Sequence, residues 1–176
     1  FASLARRLFN LSPRIKQDGH RIRVLLHSET LADFLVVGIG LTHGPSARSK
    51  RAPDLILRSP RWIVASFLRA YYDCAGYAGS SGVILSTSSE VMSEQVQLLL
   101  LNFGILSRRR LQKDGCWHLQ VLGASAPVFA EKIGFGLERK QQRLRQYIDS
   151  HRWFLEERWE DEVVSIEHGR GDVYDI

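Results

Sequence analysis

The most informative segment of this chain is residues 59 to 76, which has a carboxylate and a glycine near its end. Ser59 and Pro60 predict a helix start. Serine can accept a hydrogen bond from a free N–H of the first turn, and the N–H that proline lacks would have no partner within the helix at that position. The apolar residues after them recur three and four positions apart and predict one buried helix face, formed by Ile63, Phe67, Ala70 and Tyr71.

The predicted helix, residues 60 to 74, carries Asp73 at its C-terminal tip, and Gly76 permits an abrupt exit of the chain. A carboxylate delivered by a packed helix in a basic protein indicates metal-assisted chemistry on an anion. The alternative is a buried helix with a glycine stop, and the spacing alone does not decide between the two.

Length and composition are those of an ordinary globular protein. The 176 residues are 44% hydrophobic and 24% charged, enough for one sizeable core. The longest leucine run, Leu98 to Leu101, is too short to cross a membrane. Two cysteines, Cys74 and Cys116, form neither a disulfide framework nor a zinc pattern, so we expect a cytoplasmic protein with no membrane partner. Since Phe1 is not a methionine and Ile176 ends the chain abruptly, we expect a piece of a longer product.

Positive charge is modest but clustered. The chain has 24 Lys and Arg against 19 Asp and Glu, a net charge of +5. One cluster spans residues 108 to 113 and another spans residues 139 to 145, whereas residues 156 to 162 are acidic. Basic clusters attract phosphate through counterion release, although any single run can equally be a solvated surface.

Two β-hairpins are predicted, one turning at Asp18-Gly19 and one at Asp114-Gly115. Their strands carry polar side chains at alternate positions, which indicates one wet sheet face. A curved antiparallel sheet fits a DNA major groove, where Arg, Gln and Lys read base edges. The candidate DNA-binding residues are Arg21, Arg23, Arg108, Arg110, Lys113, His118 and Gln120. The alternative is an ordinary amphipathic sheet.

An internal repeat links residues 24–41 with residues 83–106. Each copy has a short apolar run, a serine (Ser28 or Ser88), an amphipathic helix and a glycine followed by an apolar residue. Two copies of one unit predict a pseudo-twofold domain, which suits a target with its own dyad such as duplex DNA. Further helices are predicted near residues 1–10, 30–37, 90–103, 126–133 and 137–149.

Residues 68 to 76, LRAYYDCAG, resemble the signature helix of LAGLIDADG homing endonucleases, of the kind inserted in inteins. Residues 50–61, upstream of this helix, resemble the approach to the second motif helix of the family. Further segments that resemble the family follow in order at residues 82–88, 94–107 and 131–144, so the resemblance covers about residues 20 to 148. It implies an α+β fold of pseudo-twofold αββαββα repeats with saddle-shaped antiparallel sheets. Residues 1–150 would form this domain, with an incomplete first repeat and a second repeat from about residue 59.

The resemblance also implies metal-dependent hydrolysis of duplex DNA, with Mg²⁺ or Mn²⁺ as cofactor if the protein is active. The metal-binding acid of the family precedes the motif glycine, and Ala75 stands there, so we expect impaired cleavage. Asp73 would be mainly structural, while Lys50 and Lys140 match the basic residues that flank the sites. Residues 1–10 contain no acid, so the first motif helix would lie upstream.

Residues 151–176 resemble the β segment that resumes the splicing (Hint) domain after an intein endonuclease. The partners implied are double-stranded DNA and the remainder of the intein, or a complementary chain that carries the first motif helix. Two alternatives stay open. One is a DNA-binding module of LAGLIDADG ancestry that never cuts, and the other is a scaffold for splicing, as one half of a split intein.

Overall fold

The computed structural model describes residues 1–19, 21–41, 47–150, 164–166 and 168–170, except the side chain of Arg21. The chain has the expected α+β composition, with antiparallel sheets. The elements before the motif helix are α1 (Ala2–Phe9), β1 (Arg14–Asp18), β2 (Arg21–Leu25), α2 (Glu29–Asp33), a π-helical turn (Phe34–Gly38), a 3₁₀ turn (Ala47–Ser49) and α3 (Asp54–Leu57).

The motif helix opens the larger part of the fold. Its elements are α4 (Arg61–Ala75), β3 (Gly76–Gly79), β4 (Gly82–Thr87), α5 (Glu90–Leu101), β5 (Arg108–Leu111), β6 (Trp117–Val121), α6 (Ser125–Lys132) and α7 (Glu138–Ser150). From α4 to α6 the order is the expected αββαββα. The helices predicted near residues 90–103, 126–133 and 137–149 are therefore present with ends shifted by up to two residues.

A four-stranded antiparallel sheet forms one layer, with strand order β3-β4-β6-β5. One face of this sheet packs against the helices, and its buried side chains include Val83, Leu85, Leu119 and Val121. Helix α4 contributes Val64, Leu68 and Tyr72 to the same core. The sheet is therefore covered on one side and leaves its other face for polar residues.

An aromatic cluster joins α4 to the C-terminal helices. The ring of Tyr72 lies edge-on to Phe129, with centroids 4.8 Å apart, and Phe129 meets Phe135 at 5.7 Å. Such edge-to-face pairs contribute about 0.5–1.5 kcal/mol beyond their buried area. The Tyr72 hydroxyl is fully buried and contacts no donor or acceptor among the described residues, and burial raises the pKa of its phenol well above the usual value.

We therefore predict that Tyr72→Phe stabilises the protein. The substitution removes a desolvated hydroxyl and keeps the ring contacts, so the free energy of unfolding should rise by about 1 kcal/mol. Tyr71→Phe is the matched control, because the Tyr71 hydroxyl shares a hydrogen bond with Thr87 and its loss should lower stability. Urea denaturation of both variants measures the difference, and a loss of stability in Tyr72→Phe would contradict the prediction.

The N-terminal part is packed much less. Among the described residues from 1 to 41, only Ala5 is buried. Strands β1 and β2 form a separate antiparallel hairpin, as predicted, and Ile15 and Ile22 on it are 63% and 67% exposed. The repeat is visible in local structure, because a serine caps a helix in each copy. Ser28 caps α2 and Ser89 caps α5, and each hydroxyl accepts a bond from the backbone N–H of the third residue after it.

One local prediction was wrong, and two features were not predicted. Ser59 does not cap α4: its hydroxyl donates to the Leu55 carbonyl at 2.7 Å, and the cap position belongs to Pro60. Ser88 lies near the start of α5, as the repeat indicates, but the serine that caps this helix is Ser89. Strand β3 was not predicted, because its sequence, GYAG, is half glycine.

The buried face of α4 is also rotated by one residue from the predicted one. Val64, Leu68 and Tyr72 enter the core, whereas Phe67 and Tyr71 are half-buried at its edge and Ala70 is exposed. The segment is apolar on more than one face, so periodicity alone left two registers available.

Some predictions fall outside the described residues. Most of the splicing-domain segment, residues 151–163, 167 and 171–176, belongs to this group. In the described part of the chain, no helix has the length and apolar character needed to cross a bilayer.

Candidate functional site

The exposed face of the four-stranded sheet gathers most of the predicted DNA-binding residues. Arg108 on β5 lies directly opposite Gln120 on β6, and Arg110 lies opposite His118. Residues that are directly opposite in an antiparallel pair point to the same side of the sheet. Both arginines are exposed, and His118 and Gln120 are half-buried. The alternation therefore aligns two cations and two neutral polar side chains on one surface.

The same surface continues across β4 and β3. Ile84 lies opposite both Gln120 and Tyr77, so the row Tyr77, Ile84, Gln120 and Arg108 crosses all four strands, although Ile84 itself is buried. The Gln120 amide donates to the Ser81 carbonyl at 2.7 Å, which holds this side chain toward the β3–β4 turn. Lys113 is exposed in the β5–β6 turn, where the Asp114 carboxylate accepts a bond from Cys116 N.

Arg109 does not belong to this surface, although it lies between two of its members in sequence. It points to the helical side, where its guanidinium is 3.2 Å from the Glu94 carboxylate and 4.1 Å from the centre of the Trp117 ring. Its Nη1 also donates to the Ser93 hydroxyl at 3.2 Å. The run of three arginines therefore divides into two surface cations and one that ties β5 to α5.

The C-terminal end of α4 is bound to the start of α7 through Asp73. The carboxylate accepts bonds from Gly136 N at 3.0 and 3.1 Å and from Leu137 N at 3.2 Å, directly before α7 begins. An anion is favourable there because the free N–H groups of a helix start carry partial positive charge. This bonding supports the structural role expected for Asp73.

Lys140 reaches in the opposite direction, from the first turn of α7 to the end of α4. Its Nζ donates to the carbonyl oxygens of Asp73 at 2.6 Å, Gly76 at 2.5 Å and Tyr72 at 3.3 Å. Burial lowers the pKa of this ammonium, while the charge of Asp73 acts in the other direction. The two crossed contacts, Asp73 to α7 and Lys140 to α4, are called the clasp below.

A divalent ion does not fit the donors present at this helix end. Ala75, at the position of the motif acid, has no ligand atom, and the nearest carboxylate along the helix, Asp73, is used by backbone N–H groups. Within the described ranges, no three His, Cys, Asp or Glu side chains lie close enough together to hold a metal. The cation that the structure does place there is Lys140.

The remaining predicted residues lie on other parts of the chain. Lys50 is exposed, and its carbonyl oxygen accepts a bond from the Ser89 hydroxyl at the start of α5. The neighbouring Ala52 N donates to the Gln95 side chain at 2.8 Å, so this segment is fastened to α5. On the first hairpin, Arg23 pairs with Asp18 at 2.6 Å, and the side chain of Arg21 is outside the described residues.

Comparison with known proteins finds a family match in the middle of the chain. Residues 62–134 match the model of the LAGLIDADG-like domain. In solved structures, the chain superposes on I-DmoI in complex with DNA and Mn, with a TM-score of 0.62, 15% identity, and coverage of 76% of this chain and 71% of that one. A variant of I-DmoI with its target DNA and Mg superposes with a TM-score of 0.59 at 15% identity, over 74% and 67% of the two chains.

Curated relatives carry the similar segment as a small part of their length. The replication factor C small subunit of Methanocaldococcus jannaschii is 33% identical over 84% of this chain. The glutamine–fructose-6-phosphate aminotransferase of the same organism is 27% identical over 85% of it, and a DNA gyrase subunit of Mycobacterium gordonae is 30% identical over 64%. The chain spans 8%, 14% and 21% of these three relatives. Residues 62–134 thus match the LAGLIDADG-like domain model, and the α+β fold of the chain is shared with the homing endonuclease I-DmoI.

Proposed function

We propose that this chain is the endonuclease-like part of an intein, that it binds duplex DNA through the exposed face of the four-stranded sheet, and that its double-strand cleavage is impaired. The carrying observation is the cross-strand arrangement of Arg108 with Gln120 and of Arg110 with His118 on one exposed surface. Arginine and glutamine make bidentate bonds to guanine and adenine edges, and arginine also binds phosphate.

The solved structures of the same fold support the DNA part of this proposal. They contain I-DmoI with DNA, and Mn or Mg was present. A twisted antiparallel sheet has the curvature to follow a groove, and its alternate residues then face the bases. Lys113 in the β5–β6 turn and Arg23 on the first hairpin are placed on exposed positions from which they would bind phosphates.

The intein part is supported by the relatives. A replication factor, an aminotransferase and a gyrase have unrelated activities, yet each contains a segment like this chain within a small part of its length. An element inserted into different hosts has this distribution, whereas a module that serves one host activity would recur in related hosts. The remainder of the intein would then supply the first motif helix.

Impaired cleavage follows from the donors at the end of α4. Ala75 offers no carboxylate, and Asp73 is occupied by Gly136 and Leu137. If the assembled protein cleaves DNA with Mg²⁺ or Mn²⁺, the carboxylates that hold the ion would not come from the end of α4. What this chain itself supplies is the binding surface and the clasp that positions the helix end.

The test uses a supercoiled plasmid and a short duplex that carry the rejoined host sequence on either side of the insertion point. We expect specific binding of the duplex by the chain and no linear plasmid after incubation with Mg²⁺ or Mn²⁺. Linear product would show that cleavage is not impaired. Absence of binding to this duplex and to unrelated duplexes would overturn the DNA-binding proposal and favour a splicing scaffold.

A further inference from the structure

The end of α4 already contains a cation. The Lys140 ammonium has three N–H donors, and three carbonyl oxygens at the end of α4 accept from it. These oxygens belong to the last turn of the helix and to the first residue of β3. The Tyr72 oxygen also accepts the bond from Gly76 N that ends the helix, whereas the last carbonyl groups of a helix otherwise lack partners within it. The ring of Phe135, 5.8 Å from Nζ, flanks the ammonium on another side.

Position 75 lies between two of these acceptors. Nζ bonds the carbonyl oxygen of Asp73 and that of Gly76, which flank Ala75 in the chain. Ala75 offers no carboxylate and packs against the core, while backbone carbonyl groups on both sides of it in the chain bind a positive charge from α7. The helix end, whose carbonyl groups carry partial negative charge, is thereby neutralised from within the protein.

We propose that Lys140 is the resident cation of this helix end, so that its ammonium replaces a divalent ion here and Lys140 acts as a positioning residue, not a catalytic one. The clasp then fixes the end of α4 and the start of β3 without metal. Through β3, the clasp holds one edge of the four-stranded sheet, and the exposed face of that sheet carries the proposed DNA-binding residues. This last step rests on the proposed function, whereas the identity of the cation does not.

The proposal predicts that restoring an acid at position 75 does not by itself restore a metal site. In Ala75→Asp, we expect the new carboxylate to pair with the Lys140 ammonium, because that ammonium is already bound to the backbone of Asp73 and Gly76. Opposite charges that pair at a partly buried site attract each other more strongly than they do in water. The pair would therefore compete with a divalent ion for both the carboxylate and the carbonyl oxygens.

The experiment titrates Mn²⁺ into the protein without DNA and follows free Mn²⁺ by electron paramagnetic resonance. The proteins are the parent, Ala75→Asp, Lys140→Met and the double variant. We expect Mn²⁺ to bind the double variant at least about tenfold more tightly than it binds Ala75→Asp. A double variant that carries Ala75→Asp with Arg145→Met is the control, because Arg145 is an exposed cation on the same helix, 3.9 Å from Glu138. Equal Mn²⁺ affinity in Ala75→Asp and in the double variant with Lys140→Met would overturn the proposal.

Two further measurements keep the outcome decisive. If Lys140→Met does not fold, Lys140→Gln replaces it, because the amide can still donate to the carbonyl oxygens without the charge. Duplex affinity of the parent protein is then compared in EDTA and in Mg²⁺ at equal ionic strength, and we expect equal values. A gain of tenfold or more with Mg²⁺ would contradict metal-independent positioning, whereas absence of duplex binding would count against the proposed function and leave the Mn²⁺ result unaffected.

Discussion

Replacing both Arg108 and Arg110 by alanine is expected to weaken duplex binding by about two orders of magnitude. Each guanidinium is exposed on the sheet face, and a bidentate bond from arginine to a base contributes about 1–3 kcal/mol. Two such losses correspond to about 30-fold or more, before any loss of phosphate attraction is counted. Fluorescence anisotropy with the rejoined host duplex, at a fixed salt concentration, measures the change.

Arg109→Ala is the matched control for that double variant. It removes the same residue type from the same strand, but Arg109 points to the helical side and pairs with Glu94 and Trp117. We expect nearly unchanged duplex affinity and a lower free energy of unfolding, by about 1–2 kcal/mol, since a partly buried ion pair and a cation–π contact are lost. An equal loss of affinity in both proteins would show that charge alone, and not the sheet face, determines binding.

Salt dependence separates the two roles of the surface arginines. A phosphate contact contributes close to one unit to the slope of log affinity against log salt, whereas a base contact changes discrimination between sequences. We expect the double variant to lose discrimination between the host duplex and a scrambled duplex, with a slope reduced by at most about two. A reduced slope with unchanged discrimination would assign both residues to the backbone.

The hairpins and their wet face were predictable from sequence because the signals are local. Asp114-Gly115 marks a tight turn, and the alternation on each side of it determines which residues share a face. The register does not follow from that signal, because a two-residue turn at Asp114-Gly115 would place Arg109 opposite Gln120. The structure has a three-residue loop, residues 113–115, in which Gln112 N donates to the Cys116 carbonyl, and this loop places Arg108 opposite Gln120. The alternation also assigns Arg109 to the opposite face of the sheet, which packs against α5. An ion pair with an acid of that helix is therefore predictable in kind, but the choice of Glu94 and the distance between the two side chains are not.

The register of α4 and the existence of β3 were beyond local reasoning. Residues 63 to 72 are apolar on two adjacent faces, and only packing against Phe129 and Phe135 selects Tyr72 for the core. Strand β3 has weak strand propensity of its own, and it forms because Gly76 to Gly79 pairs with β4. In both the register of α4 and the formation of β3, tertiary contacts decide between conformations that the local sequence permits.

The candidate site was predicted in part. Asp73 and Lys140 were identified from sequence, but their mutual arrangement depends on contacts between residues more than sixty positions apart. No pattern within one helix indicates that an ammonium from α7 caps α4. The sequence shows that an acid is missing at Ala75, and only the structure shows which charge is found beside it.

The largest loss of stability is expected from Gly82→Ala, at the start of β4. Gly82 has φ +87°, and a Cβ there would lie 2.4 Å from the Val121 carbonyl oxygen and 2.8 Å from Leu122 Cδ2. The backbone conformation costs an L residue about 1–3 kcal/mol, and the overlap with a neighbouring strand adds a similar amount, so we expect a loss of about 3 kcal/mol or more. The overlap cannot be relieved by a rotamer change, because the nearest atom is backbone of β6.

Gly79→Ala is the matched control, since Gly79 pairs with Gly82 across the same turn and a Cβ there would meet no atom within 4 Å. We expect it to change the free energy of unfolding by less than about 1 kcal/mol. Urea denaturation followed by circular dichroism measures both variants. Because β6 carries His118 and Gln120, a shift of β4 against β6 would also move the DNA-binding face, so Gly82→Ala should lower duplex affinity at temperatures where it is still folded. A Gly82→Ala protein as stable as the Gly79→Ala protein would show that β4 and β6 separate at little cost, which would contradict a rigid sheet as the DNA-binding surface.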